Sequence, residues 1–172
     1  MHHVYARGNN RRPIFLDDSD RHCYLADLAY VVERQRWYLL AYCLMDNHVH
    51  LVVETPRANL APGMQWLHGN YAQDFNERHG WTGHLFQGRY GSRLITSDER
   101  LWGVLAYVMW NRLEAGLCDD PAEYSWSSHP AMLGRRAAPR WLARARVLDH
   151  LAGMGDDPLA AYVRLTAAAP PG

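Results

Sequence analysis

Residues 37–54 constrain the fold more than any other stretch of the chain. Trp37 to Met45 is an unbroken aromatic and aliphatic run. It is too short before Asp46-Asn47 to be a helix, and its residue types favour a strand. Asp46-Asn47 then turns the chain into His48-Val49-His50-Leu51-Val52-Val53-Glu54, so the two runs form an antiparallel hairpin. Side chains alternate along a strand, which places His48 and His50 on one face and Val49, Leu51 and Val53 on the other. Two imidazoles on one strand face can reach a single metal ion if a third group arrives from elsewhere. Taken alone, the pair reads more readily as solvent-facing histidines on an ordinary strand.

Helical segments flank the hairpin. Asp18-Ser19-Asp20 supplies cap residues for a helix in which Tyr24, Leu25, Leu28, Val31 and Val32 recur at helical spacing up to about Arg36. Asn59 is placed to cap a second helix, with Leu60, Met64, Leu67, Tyr71 and Phe75 on one face and an end near His79-Gly80. Residues 3–7 alternate like a short strand, and residues 84–95 read as a fourth strand bent at Gly88 or Gly91. The order strand, helix, strand, strand, helix, strand predicts an α+β fold: a ferredoxin-like split βαβ sandwich, an antiparallel sheet packed on helices. Thr96-Ser97-Asp98-Glu99 has capping-box spacing and opens a third helix with Leu101, Val104, Leu105 and Val108 as its buried stripe. Gly103, Tyr107 and Asn111 form a neighbouring stripe on that helix. Short helices are expected at 141–152 and 158–166, so residues 1–130 read as the main domain and 131–172 as a short helical extension with a frayed tail.

Composition limits the alternatives. The chain has 172 residues, 48% hydrophobic and 21% charged, which suits one domain with a sizeable core. No apolar run approaches the length of a membrane span and no secretory pattern opens the chain, so the cytoplasm is the expected location. Cys23, Cys43 and Cys118 are odd in number and widely spaced, and are expected to be structural thiols rather than a disulfide or zinc framework. Net charge is zero, which argues against a generic nucleic-acid binder, and all 18 basic residues are arginine. Their distribution is uneven: Arg7, Arg11 and Arg12 lie in an acid-free stretch at the start, and residues 135–146 form another. Guanidinium suits bidentate phosphate contacts.

The histidine strand and the Tyr107–Asn111 stripe combine into one hypothesis. If the third helix covers the histidine face, Asn111 can complete a site with His48 and His50 while Tyr107 stands beside the ion. Two imidazoles and an amide oxygen, with positions left open, suit a hard divalent ion such as Mg²⁺ or Mn²⁺ holding phosphate oxygens. The ordinary reading of Tyr107 is a core tyrosine with a satisfied hydroxyl.

His48-Val49-His50, Tyr107 and Asn111, with Tyr42 to Asn47 before them and Leu85-Phe86-Gln87-Gly88-Arg89-Tyr90 between, resemble the HUH single-tyrosine transposases of the bacterial insertion-sequence type. Ala6-Arg7-Gly8-Asn9-Asn10 and Tyr124-Ser125-Trp126-Ser127-Ser128 resemble most the REP-associated tyrosine transposase branch, and the likeness covers roughly residues 3–130. The resemblance implies His48, His50 and Asn111 as ligands of Mg²⁺ or Mn²⁺ and Tyr107 as the nucleophile that attacks DNA through a 5′-phosphotyrosine intermediate. The implied substrate is single-stranded or hairpin DNA, with monomer and homodimer both open. Arg7, Arg11 and Arg12, together with Gln87, Arg89 and Arg93 on one face of the fourth strand, are the candidate DNA contacts, weighed against a solvated polar face. One departure stands out: relatives commonly continue from the asparagine with Pro-Val-Arg-Ala, whereas this chain reads Asn111-Arg112-Leu113-Glu114-Ala115. A domesticated DNA-binding protein of the same fold that no longer cleaves is the alternative, and an RNA-binding module ranks below both.

Overall fold

The computed structural model describes residues 1–114, 120–152 and 157–167, and for residues 111–114 and 121 the backbone alone. Its elements run β1 (His2–Arg7), α1 (Asp18–Gln35), β2 (Tyr38–Met45), β3 (His48–Glu54), α2 (Leu60–His79), β4 (Gly91–Leu94), α3 (Asp98–Glu114), α4 (His129–Met132), α5 (Arg144–Ala152) and α6 (Pro158–Ala167). The sheet order is β2-β3-β1-β4 with every neighbouring pair antiparallel, which is the expected ferredoxin-like sandwich. Val49, Leu51 and Val53 are fully buried on one face, where α1 and α2 pack against each other. The other face, which carries the histidines, is covered by α3.

The register follows from alternation. His48 sits opposite both Arg7 and Met45, and His50 opposite both Tyr5 and Cys43. Residues directly opposite one another in an antiparallel pair share a face. Thus His3, Tyr5 and Arg7 of β1 stand on the same side as His48 and His50.

The fourth strand is shorter than residues 84–95. Only Gly91–Leu94 runs as a strand beside β1, with Tyr5 opposite Gly91, and pairing resumes at the Gly8–Phe86 bridge. Three steps along β1 therefore face five along 86–91, so the chain bulges through Gly88, Arg89 and Tyr90. Gly91 lets the Tyr5 ring lie directly against the backbone there, and a Cβ would force that ring to move. Gln87 and Arg89 consequently do not share a regular strand face with Arg93, because the bulge breaks the alternation between them.

Helix ends differ from the sequence reading in detail. The N-cap of α1 is Asp17, whose side chain accepts from the Asp20 amide while Asp20 reaches back to the Asp17 amide. Asn59 occupies the cap position of α2, but its side chain is spent elsewhere: it accepts from Trp37 Nε1 at 2.9 Å and donates to the Gln35 carbonyl at 2.9 Å. It ties the end of α1 and the start of β2 to α2. At α3 the capping oxygen is that of Ser97, which accepts from the Arg100 amide at 3.3 Å, rather than Thr96. Trp102, Ala106 and Met109 widen the buried stripe of α3, because this helix is packed on a second side by α6, where Trp110 Nε1 donates to the Thr166 carbonyl.

The remaining chain covers the outer edge of β2, which would otherwise present unpaired backbone. Leu44 donates to the Trp126 carbonyl, Tyr124 Oη donates to the Leu44 carbonyl at 2.7 Å, and the Ser128 amide donates to the Tyr42 carbonyl. Ala143 extends this by donating to the Leu39 carbonyl, and Arg146 grips Glu54 with two nitrogens. Cys43 is buried and Cys23 half-buried; Cys118 lies outside the described residues. Among the described residues no helix is long and apolar enough to cross a membrane.

Asp20 is only 2% exposed and accepts from the Leu16 amide, Arg78 and His79, which joins the start of α1 to the end of α2. Asp20→Ala removes the N3 half of the capping box and the acceptor shared by the Leu16 amide, Arg78 and His79, so a loss of about 1–2 kcal/mol is expected in urea unfolding. An unchanged midpoint would show that the cluster is incidental.

Candidate active site

β3 brings His48 and His50 together with ring centroids 5.0 Å apart. Each has one ring nitrogen engaged at its back. His48 Nδ1 lies 2.7 Å from Asn47 Oδ1, an acceptor, so Nδ1 carries the proton and Nε2 keeps its lone pair. His50 Nδ1 lies 3.0 Å from Nε2 of His3, which crosses from β1. His3 and His50 are each 6% exposed. Burial is the main reason that the His50 pKa falls to about 3, with His3, His48 and Arg7 adding to it. Burial likewise takes His3 down to about 4, with Arg93 contributing. Both imidazoles are therefore neutral near pH 7, the form in which imidazole binds metals.

α3 delivers Tyr107 to the same face. Its ring stands edge-on to His50 at 5.5 Å between centroids and 5.9 Å from His3, and it stays 39% exposed. Half-buried beside two neutral rings, the hydroxyl is accessible to a substrate. Tyr71 and Tyr124 have their hydroxyls committed to the Ile14 and Leu44 carbonyls. The backbone of α3 remains helical through Glu114, so Asn111 follows Tyr107 by one turn; its side chain lies outside the described residues.

In front of the histidines the bulge opens a pocket of about 420 Å³ lined by Tyr5, Arg7, His48, His50, Gln87 and Arg89, among others. Of the six proposed DNA contacts, Arg7, Gln87 and Arg89 line this pocket. Arg93 stands exposed on β4 opposite His3. Arg11 and Arg12 are exposed in the turn after β1, near Asn47, whose amide donates to the Arg11 carbonyl, and neither lines the pocket.

Two residues of the site escaped the sequence reading. His3 had no partner until the β1–β3 register was known, and Tyr5 joins the pocket wall for the same reason. The available signal was the alternation of His3, Tyr5 and Arg7.

The donor set fits a divalent ion: two imidazoles on one face, each with Nδ1 occupied, beside a helix that carries an amide one turn beyond the tyrosine. Among the described residues the three imidazoles do not bring three nitrogens within 4.8 Å of one another. The cluster that does meet that distance, Cys23, Asp27 and Asp74, lies between α1 and α2, where burial and the two acids push the thiol up to about 11.

The family profile described as "Transposase IS200 like" matches residues 1–111, nearly two thirds of the sequence. The chain belongs to this family. The fold is similar to a solved structure described as the REP-associated tyrosine transposase bound to a REP hairpin, with TM-score 0.66, 14% identity, and 80% of this chain and 81% of that one covered. A chain from Deinococcus radiodurans, described as a candidate transposase, aligns with TM-score 0.46 and 17% identity over 67% of this chain and 88% of its own. No curated protein matches the sequence.

The lowered histidines set a pH dependence. His3 and His68 fall to about 4 and His50 to about 3, all below the ordinary 6.5. Unfolding therefore takes up protons below pH 6.5, and stability must rise with pH across roughly 4 to 6.5, by up to about 1.4 kcal/mol per unit for each histidine. Urea unfolding of the metal-free protein should show this slope above pH 4.5, before carboxylates contribute. A flat profile there would mean that the three rings are accessible to protons when folded.

Proposed function

We propose that this transposase cleaves and rejoins single-stranded or hairpin DNA through a covalent link to Tyr107, in the manner of the REP-associated branch. The observation that carries the reading is Tyr107 edge-on to His50, on the sheet face that also holds His48. In the step proposed, Tyr107 Oη attacks the scissile phosphorus, a P–O bond to tyrosine forms, and the bond from phosphorus to the 3′-oxygen breaks. The proton lost by the phenol is balanced by the proton gained at the leaving 3′-hydroxyl. One phosphodiester replaces another, so a second 3′-hydroxyl can reverse the step and join strands without ATP.

His48 and His50, with Asn111, would hold Mg²⁺ or Mn²⁺, which when bound supplies polarisation of the phosphate and compensates a phenol whose reference pKa is about 10. Arg7, Gln87 and Arg89, which line the pocket, would bind the backbone flanking the scissile phosphate, and Tyr107 is exposed enough for its hydroxyl to meet that phosphate. The exposed Arg11, Arg12 and Arg93 would extend the contact outward. The hairpin bound in the similar structure, and the lack of a major-groove reading helix in the sequence, favour single-stranded or hairpin substrate over plain duplex.

The test is incubation with labelled hairpin DNA and Mn²⁺, followed by denaturing electrophoresis. A shifted protein–DNA band is expected for the wild type and not for Tyr107→Phe, which should fold and bind DNA normally. His50→Ala should lose both the band and Mn²⁺ affinity. Binding without any covalent band in the wild type would favour the non-cleaving DNA-binding reading, and equal cleavage of perfect duplex would contradict the substrate assignment. DNA affinity should also fall as salt rises, because arginine–phosphate contacts release counterions.

A further inference from the structure

Among the described residues, His3 is a buried titratable group at the site that the proposed chemistry leaves without a task. It enters from β1, opposite Val52, with Tyr5 and Tyr107 on its flanks. Its Nε2 is 3.0 Å from His50 Nδ1, which is hydrogen-bond distance between two ring nitrogens. One of the two must donate and the other must accept, and only two arrangements of neutral rings satisfy this. If His3 donates, the His50 proton sits on Nε2 and that nitrogen cannot bind a metal. If His50 donates from Nδ1, its Nε2 keeps the lone pair.

Three features, taken with the metal reading, favour the second arrangement. His50 Nδ1 points across the sheet at β1, so it is not the nitrogen turned to the pocket that His50 lines. His3 does not close a three-imidazole cage with His48 and His50, so the contact is a hydrogen bond rather than two ligands sharing an ion. His48 has the same construction, with Asn47 Oδ1 at its Nδ1. We infer that His3 is a positioning residue that holds His50 in the Nδ1–H tautomer with Nε2 presented as a ligand. The inference rests on the metal reading of the preceding section. It adds that a strand neighbour, not a carboxylate, sets the ligand. Such partners of metal-binding histidines typically change metal affinity by 10–100-fold when removed.

The experiment compares wild type, His3→Gln and His3→Phe. Glutamine can place a carbonyl oxygen where Nε2 stood and still accept from His50, whereas phenylalanine keeps the ring volume without a lone pair. Long-range ¹H–¹⁵N NMR of the metal-free proteins reads the tautomer directly. His50 should be protonated at Nδ1 in wild type and His3→Gln, and should become a mixture in His3→Phe. Mn²⁺ binding, followed by the electron paramagnetic resonance signal of the free ion, should weaken by about 10–100-fold in His3→Phe and stay near the wild-type value in His3→Gln.

A wild-type His50 protonated at Nε2 overturns the inference, and that measurement stands even if His3→Phe does not fold. So does a folded His3→Phe with unchanged tautomer and Mn²⁺ affinity, which makes His3 a core histidine. Loss of one metal-bound nitrogen in the spin-echo spectrum of His3→Phe would instead make His3 a ligand. If the wild type takes up no Mn²⁺, the metal reading falls while the tautomer still decides the role of His3.

Discussion

The antiparallel register of β1 against β3 is the constraint on which the site depends. With Tyr5 opposite His50 and Arg7 opposite His48, every second residue of β1 stands on the histidine face. A slip of one residue would send His3, Tyr5 and Arg7 to the α1–α2 side and bring Val4 and Ala6 to the pocket. The slip is opposed from both sides, because Val4 is completely buried and Gly8 is fixed by its amide donating to the Asn47 carbonyl. Fold and site are thus set by the same pairing.

That pairing also explains the electrostatics. α3 closes over a face that already carries His3 and His50, and the rings lose water there. Two neutral imidazoles bonded to each other are the low-cost solution, since a charge on either would face its neighbour in a poorly solvated place. The bulge through Gly88–Tyr90 does the opposite, peeling the chain away from β1 and admitting solvent and substrate beside Arg7 and Arg89. The site is closed behind the rings and open in front of them.

Much of this was legible in the sequence because it depends on local period. The hairpin at 37–54, the helical spacing in α1, α2 and α3 and the shared face of His48 and His50 all follow from alternation or from helical repeat. What failed was decided by partners distant in sequence. The strand over residues 84–95 is too long: the bend expected at Gly88 or Gly91 is a bulge through Gly88–Tyr90 that leaves only Gly91–Leu94 as strand, with the Tyr5 ring packed on Gly91. Asn59 has the composition of a cap, but Trp37 competes for its oxygen. His3 lies in a short alternating run at the start of the chain, and nothing short of the β1–β3 pairing could reveal His50 as its partner. The Tyr124–Ser128 motif was recognisable by resemblance, yet its physical role, sealing the edge of β2, required the sheet order.

The central claim is that Tyr107, rather than any other tyrosine on this face, becomes covalently joined to DNA. Tyr5 is the discriminating competitor, because it is 37% exposed, lines the pocket and lies 6.4 Å from His50 between ring centroids. The direct measurement is to trap the adduct, digest protein and DNA, and sequence the modified peptide by mass spectrometry. The account predicts a nucleotide remnant linked through a 5′-phosphate to the peptide carrying Tyr107. A remnant on Tyr5, or on no tyrosine at all, would contradict it.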